Sequence, residues 1–256
     1  MKKLPPNYQL VETLDGSNTL FSERFQEACH SSTGAKTETL LHYISGCRVK
    51  EHCRSYNPFV ILEVGFGLGV GFLTTLEALA QEEGQWHFLS LELDRDLLEW
   101  FREEHKEHPF LKNLRWEGSQ VMKAHDKNIT LTILAGNARQ TLQAYLKDHP
   151  LEWHAVYQDA FSPRRNPILW TKEWFGLLKE HAHQDCILST YSASSSIRKS
   201  LHAAGWKVQK GEKFGPKRSS TRAYLVGETD ADILDHLRRS PVEELRDDNI
   251  DRFLLK

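Results

Sequence analysis

The sequence predicts an α/β fold with a mostly parallel, doubly wound sheet, and three observations support this prediction. From about position 59 to position 227, short apolar runs alternate with helical patterns, as in successive βαβ units. The last two apolar runs have no helix between them, which predicts an antiparallel pair at the sheet edge. The first apolar run ends in an acid followed by glycines at alternate positions, Gly65, Gly67, Gly69 and Gly71. Such a strand-to-helix turn lets the backbone approach a ligand closely.

Seven strands and five helices follow from these patterns. The strands are predicted at 59–64, 86–93, 129–135, 154–159, 186–191, 206–210 and 223–227. The helices are predicted at 70–81, 95–105, 138–147, 171–181 and 194–204. The last helix should end at Gly205, because glycine is common just after a helix. We therefore expect a seven-stranded sheet whose last strand is antiparallel.

The remaining segments break this alternation. In 113–128, Glu117-Gly118-Ser119 is expected to form the turn of a small hairpin. A second hairpin is predicted near the N-terminus around Asp15-Gly16. We expect residues 59–227 to form the core domain, with an N-terminal extension (1–58) packed on it and a charged, largely helical C-terminal extension (228–256).

Chain length, charge, apolar runs and cysteine spacing limit the class of protein that this chain can be. A chain of 256 residues is long enough for one sizeable core. The net charge is −2, so a polyanion would have to bind at a local basic patch. No signal-like segment or membrane-length apolar run is present, which predicts a cytoplasmic protein that does not bind membranes. The cysteines lack C-x-x-C spacing, so neither a metal site nor a redox motif is expected.

The glycine turn does not fit a dinucleotide cofactor. The G-x-G-x-x-G fingerprint would need glycine at Val70 or at Phe72. Nicotinamide and flavin cofactors, including FAD, are therefore disfavoured. The pattern from Glu63 to Gly69, E-x-G-x-G-x-G, instead resembles the first motif of class I S-adenosylmethionine-dependent methyltransferases.

This resemblance implies a Rossmann-like methyltransferase fold with S-adenosylmethionine as methyl donor. It also implies that Glu63, Gly65, Gly67 and Gly69 lie at the cofactor, with the glycine turn under its amino acid and ribose.

Two polar residues follow the next strands. Glu92 is the preferred ligand of the ribose hydroxyls, since a hydrogen bond to a carboxylate contributes about 1.5–3 kcal/mol. Asn137 stands where methyltransferases place a polar residue beside the adenine. The alternative for Glu92, Asp94 and Asn137 is capping of the helices that follow.

The fourth strand ends at Asp159, and ligands bind at the carboxyl ends of strands in open α/β sheets. The stretch from Asp159 to Thr171 is similar to D-G/A-F-x-P-x-x-N-P-x-x-W-T in the methyltransferase domain of the MnmC family. That family methylates the aminomethyl group on a wobble uridine of tRNA. The segments from His30 to Glu38 and from Phe214 to Arg218 resemble its H-S-x-x-G-A-x-x-E and F-G-x-K-R motifs.

The family resemblance covers roughly positions 20–225 and implies a specific activity. Nothing in the chain resembles the flavin-dependent half of two-domain members, so methylation of 5-aminomethyl(-2-thio)uridine is implied, with a separate enzyme supplying that nucleoside. The resemblance also implies that Glu38 lies at the cofactor site. One departure is Asn137, where the family usually has an acid.

Asp159 is the candidate catalytic residue. An alkylamine has a pKa near 10, so only about one molecule in a thousand is neutral at pH 7. Asp159 is placed to accept an N–H hydrogen bond, orient the lone pair and stabilise the developing ammonium, more than to abstract a proton. Phe161 and Trp170 are expected to stack on the extruded base, with core packing as the open alternative.

A local basic patch is the predicted tRNA contact. The stretch 207–222 contains six basic residues opposed only by Glu212. These cations would hold phosphates of the anticodon stem-loop, with a solvated charged face as the alternative. The cations assigned to the substrate are Arg164, Arg165, Lys213, Lys217 and Arg218.

Two other functions remain open from the sequence. Asp-Ala-Phe at position 159 also resembles spermidine synthases, which leaves a small-amine methyltransferase or an aminopropyltransferase possible. A non-catalytic RNA-binding module is the other alternative, although an intact glycine turn and Asp159 disfavour it.

Overall fold

The computed structural model describes residues 4–30, 33–212 and 219–253. The strands are β1 (Tyr8–Glu12), β2 (Asn18–Ser22), β3 (Glu27–Ala28), β4 (Phe59–Val64), β5 (Trp86–Glu92), β6 (Arg115–Glu117), β7 (Val121–Asp126), β8 (Ile129–Ala135), β9 (Trp153–Gln158), β10 (Ala182–Thr190), β11 (Lys207–Lys210) and β12 (Thr221–Tyr224). The first three strands form a separate small sheet, and the others form one sheet in the order β11-β12-β10-β9-β4-β5-β8-β7-β6.

The large sheet confirms the doubly wound prediction. Its five central strands, from β10 to β8, are parallel. The chain runs outward from β4 to β5 and β8, then returns to β9 on the other side, so β4 and β9 flank a topological switch point. The last strand, β12, is antiparallel to both β10 and β11, as predicted. Ligands are expected at the carboxyl ends of the strands at this switch point.

The sheet has nine strands among the described residues, two more than the seven predicted. The extra pair is the hairpin β6–β7, which turns at Gly118 with φ of +75° and extends the sheet beyond β8. The first residues of two strands also differ from the prediction. β10 begins at Ala182 and β12 at Thr221, because polar residues in these strands hide them from an apolar pattern.

The helices are α1 (Ala35–Thr39), α2 (Val49–Ser55), α3 (Val70–Ala78), α4 (Arg95–Glu104), α5 (Ala138–Asp148), α6 (Lys172–Glu180), α7 (Ser195–Ala203) and α8 (Ala231–Arg239). A π-helical segment, Leu40–Ser45, follows α1 directly, and short 3-10 turns lie at Leu111–Asn113, Pro167–Leu169 and Ile250–Arg252. The five predicted helices, α3 to α7, are present with ends that differ by at most three residues. Gly205 follows α7 with φ of +90°, as its predicted role requires.

Hydrophobic residues cover both faces of the large sheet. In β4, Phe59 and Ile61 face one core, whereas Val60 and Leu62 face the other, as the two-residue period of a strand requires. Residues of the π-helical segment and of α2, α3 and α4 pack on the first face. Residues of α5, α6, α7 and α8 pack on the second. Burial on both faces explains why β4 is almost wholly apolar.

The N-terminal segment forms the predicted hairpin and continues beyond it. β1 and β2 pair antiparallel, and β3 adds a short third strand. At the hairpin turn, Asp15 accepts hydrogen bonds from the backbone N–H and the hydroxyl of Thr37 at 3.1 and 2.7 Å. The small sheet is therefore fixed to the start of the helical segment that follows it.

The C-terminal segment returns to the sheet after α8. Leu245 is fully buried, and its carbonyl accepts a 2.8 Å hydrogen bond from the backbone N–H of Lys172 at the start of α6. Asp247 pairs with Arg139 of α5 at 2.8 Å. The acidic residues here are thus engaged with the protein itself. Of the helices in the described ranges, none has the length and apolar character needed to span a membrane.

Replacing Leu245 with alanine should lower the free energy of unfolding by about 2–5 kcal/mol, because it leaves a cavity where the segment is anchored. Val242, three residues away, is 41% exposed and provides the matched control. Val242→Ala should change stability by no more than about 0.5 kcal/mol. Urea denaturation of both variants makes the comparison. Equal losses would show that Leu245 does not anchor the segment.

Candidate active site

A cavity opens at the carboxyl ends of β4, β5, β8 and β9, at the switch point of the sheet. Residues that end or follow these strands form its floor, namely Gly65, Gly67, Glu92, Asn137 and Asp159. The small N-terminal sheet and the residues next to it form one wall, through Tyr8, Phe25, Cys29 and His30. The cavity is therefore bounded by two parts of the chain that are distant in sequence.

The glycine turn brings backbone to the cavity floor. Gly65 has φ of +100°, and a Cβ there would lie 2.9 Å from the carbonyl oxygen of Asp159. Gly67 has φ of +54°, and its N–H donates a 3.0 Å hydrogen bond to Glu92. Both positions require glycine because of their conformation, and Gly65 also because of the close approach.

Gly69 lies outside the cavity lining, and its predicted contact with the cofactor stays a prediction. It is the residue before α3, with φ of +69°, and does not line the cavity. A Cβ at this position would lie 2.6 Å from the ring of Phe101. Gly69 thus serves the start of α3 and its packing against α4.

Glu63 also lies outside the cavity lining, and its predicted contact with the cofactor stays a prediction. Its side chain is buried and accepts a 2.6 Å hydrogen bond from the hydroxyl of Ser90. One carboxyl oxygen lies 1.8 Å from where a Cβ of Gly71 would stand, so the fourth glycine makes room for it. Burial raises the pKa of Glu63 well above its ordinary value.

Glu92 lies in the cavity and supports the glycine turn. One carboxylate oxygen accepts from the N–H of Gly67 at 3.0 Å, and the other from the N–H of Asp94 at 2.9 Å. Each oxygen keeps a lone pair for a further donor. Burial raises the pKa of Glu92, against the effect of these backbone hydrogen bonds. Asp94, by contrast, caps α4 through the N–H of Asp96 at 2.9 Å.

Asn137 combines the two roles that the sequence left open. Its side-chain oxygen accepts from the N–H of Arg139 at 3.1 Å and so caps α5. The same side chain lines the cavity. The adjoining wall is apolar and consists of Leu91, Leu93, Leu97, Ile168 and Leu169. A polar floor with this apolar wall fits a nucleoside, whose base is flat and whose sugar carries hydroxyls.

Asp159 directly follows β9, and its carboxylate is held on both sides. Oδ1 accepts a 2.6 Å hydrogen bond from the hydroxyl of Tyr43, which the π-helical segment supplies. Oδ2 lies 3.6 Å from Nε2 of His30. The side chain is only 13% exposed, and burial raises its pKa well above the ordinary value although the Tyr43 hydrogen bond lowers it. A raised pKa makes this carboxylate a better proton acceptor than the sequence alone suggested.

Glu38 does not line the cavity either, and its predicted contact with the cofactor stays a prediction. Its side chain is buried on α1, 3.9 Å from Nε2 of His42. Its negative charge raises the pKa of Asp159. Glu38 therefore acts on the site through its charge.

Phe161 and Phe25 form a stacked pair in the cavity lining, with ring centroids 4.3 Å apart. The exposed Arg24 lies over Phe25, 5.5 Å from the ring centroid. Trp170 is fully buried, which fits core packing, the alternative that the sequence left open for it. Its indole N–H donates to the carbonyl of Phe161 at 2.8 Å, so it supports the backbone on which Phe161 stands.

The loop after Asp159 is fixed by two further contacts. The N–H of Ser162 donates to Glu27 of β3 at 3.0 Å, and the hydroxyl of Tyr191 donates to the carbonyl of Ala160 at 2.9 Å. Arg164 is exposed and Arg165 half-buried on the same loop, and neither side chain lines the cavity.

The predicted basic patch is only partly described. Lys210 pairs with Asp232 at 3.0 Å, and Arg222 pairs with Glu212 at 3.1 Å, so both cations have acidic partners. Lys213, Lys217 and Arg218 lie outside the described residues. Within 4–30, 33–212 and 219–253, no cluster of histidine, cysteine or acidic residues is arranged to hold a metal ion.

Sequence reasoning missed the contribution of the N-terminal segment. Tyr43, Phe25 and Tyr8 reach the site, and His30 had been noted only as part of a motif. One signal was available. The apolar run Leu40-Leu41-His42-Tyr43-Ile44 lies in a stretch for which no element was predicted.

The chain is similar to several known proteins. A family model described as S-adenosyl-L-methionine-dependent methyltransferase matches residues 99–226, half of the chain. The tRNA 5-methylaminomethyl-2-thiouridine biosynthesis bifunctional protein MnmC of Azoarcus sp. (strain BH72) is 32% identical over 222 residues, which cover 82% of this chain and 34% of that protein. Its Campylobacter hominis counterpart is 30% identical over 229 residues, with coverages of 87% and 33%.

The chain thus spans about a third of the length of these curated relatives. Among solved structures, MNMC2 from Aquifex aeolicus superimposes with a TM-score of 0.75 at 28% identity. That match covers 98% of this chain and 81% of the other.

The raised pKa of Glu63 predicts a pH-dependent effect on stability. A carboxyl whose pKa is raised on folding stabilises the fold fully below its unfolded pKa and loses this contribution as pH rises towards the folded pKa. Relative to Glu63→Gln, the wild-type protein should therefore lose stability as the pH rises above about 5, by at most about 1.4 kcal/mol per pH unit.

Urea denaturation at several pH values measures this difference, and Glu83→Gln, at an exposed position, is the control that should show no trend. A constant difference between wild type and Glu63→Gln would mean that Glu63 is ionised in the fold.

Proposed function

Because the chain belongs to the S-adenosyl-L-methionine-dependent methyltransferases, we propose that it methylates the 5-aminomethyl group on the wobble uridine of tRNA. The product is 5-methylaminomethyl(-2-thio)uridine. One observation carries the proposal: a buried carboxylate, Asp159, has one oxygen fixed by Tyr43 and the other at a cavity that fits a nucleoside cofactor. The names of the MnmC relatives support the choice of substrate.

The cavity floor would hold the methyl donor. The lone pairs left on Glu92 suit the ribose hydroxyls, and the wall around Leu93 suits the adenine. Gly65 and Gly67 leave room beside them for the amino acid part. S-adenosyl-L-methionine supplies an electrophilic methyl group on a sulfonium. The assignments of Glu92 and Asn137 as cofactor ligands remain part of this proposal.

Asp159 would act on the substrate amine. Its accessible oxygen, Oδ2, accepts an N–H of the aminomethyl group, and its raised pKa lets it take a proton from the ammonium form. The hydrogen bond from Tyr43 fixes the carboxylate plane, so the amine lone pair is held in one direction. The negative charge of Asp159 also stabilises the positive charge that develops on nitrogen. Positioning and electrostatics therefore account for the catalysis.

The stacked pair Phe25 and Phe161 would receive the base. A wobble uridine lies in a single-stranded loop, and its base can leave the stack and lie on an aromatic ring. Arg24, Arg164 and the basic stretch 207–222 would hold phosphates of the anticodon stem-loop. A separate enzyme would supply the aminomethyl-uridine, and a tRNA substrate agrees with the cytoplasmic location that the sequence predicts.

Asp159→Asn should lower the rate constant of methyl transfer to tRNA by about 10²- to 10⁴-fold, since the amide cannot accept a proton and turns a donor towards the amine. Affinity for S-adenosyl-L-methionine should be unchanged by calorimetry. Asp148→Asn, at an exposed position at the end of α5, is the matched control and should keep full activity. Full activity of the Asp159→Asn protein would exclude the proposed role.

The same assay separates the proposed function from a small-amine methyltransferase and from an RNA-binding module. Transfer of labelled methyl from S-adenosyl-L-methionine is measured to tRNA that contains 5-aminomethyl-2-thiouridine and, separately, to putrescine. Labelling of the tRNA alone is expected. Labelling of the diamine alone would favour a small-amine methyltransferase, and binding of tRNA without transfer would favour an RNA-binding module.

Phe25→Leu should raise the KM for tRNA by about 5- to 150-fold, because stacking of a base on an aromatic ring contributes about 1–3 kcal/mol. Affinity for S-adenosyl-L-methionine should stay the same. Phe25→Trp keeps an aromatic face, so its KM for tRNA should rise much less. Steady-state kinetics with tRNA as the varied substrate provides the measurement. Equal KM values for Phe25→Leu, Phe25→Trp and wild type would mean that Phe25 does not contact the base.

A further inference from the structure

His30 is the second polar group that faces Asp159, and the mechanism above does not use it. It follows β3, its side chain is 7% exposed, and its Nε2 lies 3.6 Å from Oδ2 of Asp159. On the side away from Asp159, His30 contacts Thr19 of β2. The Thr19 hydroxyl oxygen accepts a 3.0 Å hydrogen bond from the backbone N–H of His30 and lies 3.1 Å from the ring nitrogen Nδ1.

These contacts fix which ring nitrogen carries the proton. Thr19 is 1% exposed, so its hydroxyl proton must find a partner within the protein. In the described part of the chain, Nδ1 of His30 is the acceptor that lies within bonding distance of it. Nδ1 therefore accepts this proton, and in the neutral ring the remaining proton stands on Nε2. The N–H bond of Nε2 then faces Asp159.

We propose that His30 is a positioning residue for Asp159: Thr19 holds its ring with the Nε2 proton directed at Oδ2, which keeps this oxygen facing the substrate amine. This inference deepens the proposed function and rests on it for the identity of the amine. Tyr43 fixes Oδ1 and His30 faces Oδ2, so the carboxylate lies between two donors from the N-terminal segment.

The distance of 3.6 Å suits this role. It is longer than a hydrogen bond, so Oδ2 keeps a lone pair free for the amine while the N–H dipole still stabilises its charge. Burial lowers the pKa of His30 to about 4, so the ring acts as a neutral dipole near pH 7. Other titratable groups around the pair come from several elements: Asp15, Cys29, Glu38, Tyr43, Glu63 and Tyr191.

The full chain without substrate provides the first test. Nitrogen-15 NMR of the histidine rings should show His30 protonated on Nε2 and unprotonated on Nδ1. In Thr19→Val the ring should become a mixture of both forms, and Thr19→Ser, which restores the hydroxyl, should return it to the Nε2 form. A wild-type ring protonated on Nδ1 would overturn the proposal.

The carboxyl group gives the second measurement. Carbon-13 labelling of aspartate, with Asp159→Asn identifying the signal, reports the titration of Asp159. Its pKa should rise by on the order of one pH unit in His30→Phe, because the donor is lost. His30→Gln keeps an N–H donor and should reverse much of this shift. If the pKa of Asp159 is the same in wild type and in His30→Phe, the proposal is overturned.

Methyl transfer adds a kinetic readout. In His30→Phe the acid limb of the single-turnover rate should move to higher pH with the KM for tRNA unchanged, which simple misfolding would not produce. An unshifted limb counts against the proposal. A wild-type protein that transfers no methyl group to tRNA would contradict the proposed function, whereas the two NMR measurements test His30 without any substrate.

Discussion

The hydrogen bond between Tyr43 and Asp159 is the contact on which the site depends. It joins the N-terminal segment to the end of β9 across 116 residues of sequence. A hydrogen bond to a charged group contributes about 1.5–3 kcal/mol, and loss of either partner would leave the other buried without its match. The bond holds the π-helical segment over the sheet. The small N-terminal sheet is connected to that segment through Asp15, so the cavity wall is fixed as well.

This construction divides the cavity between two parts of the chain. The half proposed for the methyl donor is built by Gly65, Gly67, Glu92 and Asn137, at the ends of neighbouring parallel strands. The half proposed for the substrate combines Asp159 with residues of the N-terminal segment. Strand ends provide backbone and carboxylates in a fixed frame, and the added segment provides aromatic rings and His30. A common methyltransferase fold can thus acquire a particular substrate through the segment that precedes it.

The sequence predicted what depends on local patterns. The period of apolar residues located β4 and α3, and the acids at strand ends located Glu92 and Asp159. It did not show which way side chains point or which distant parts of the chain come into contact. Glu63, two residues before Gly65, and Trp170, eleven residues after Asp159, both have buried side chains, which no local pattern indicates. The pairing of Tyr43 with Asp159 leaves no local pattern, because the two residues meet only when the chain is folded.

Transfer of a methyl group to one nucleoside of tRNA is the activity proposed for this chain. The most direct measurement is mass spectrometry of nucleosides from tRNA that contains 5-aminomethyl-2-thiouridine, incubated with S-adenosyl-L-methionine with and without the protein. We expect this nucleoside to be converted to 5-methylaminomethyl-2-thiouridine only when the protein is present. An unchanged nucleoside profile, or a methyl group on any other nucleoside, would contradict it.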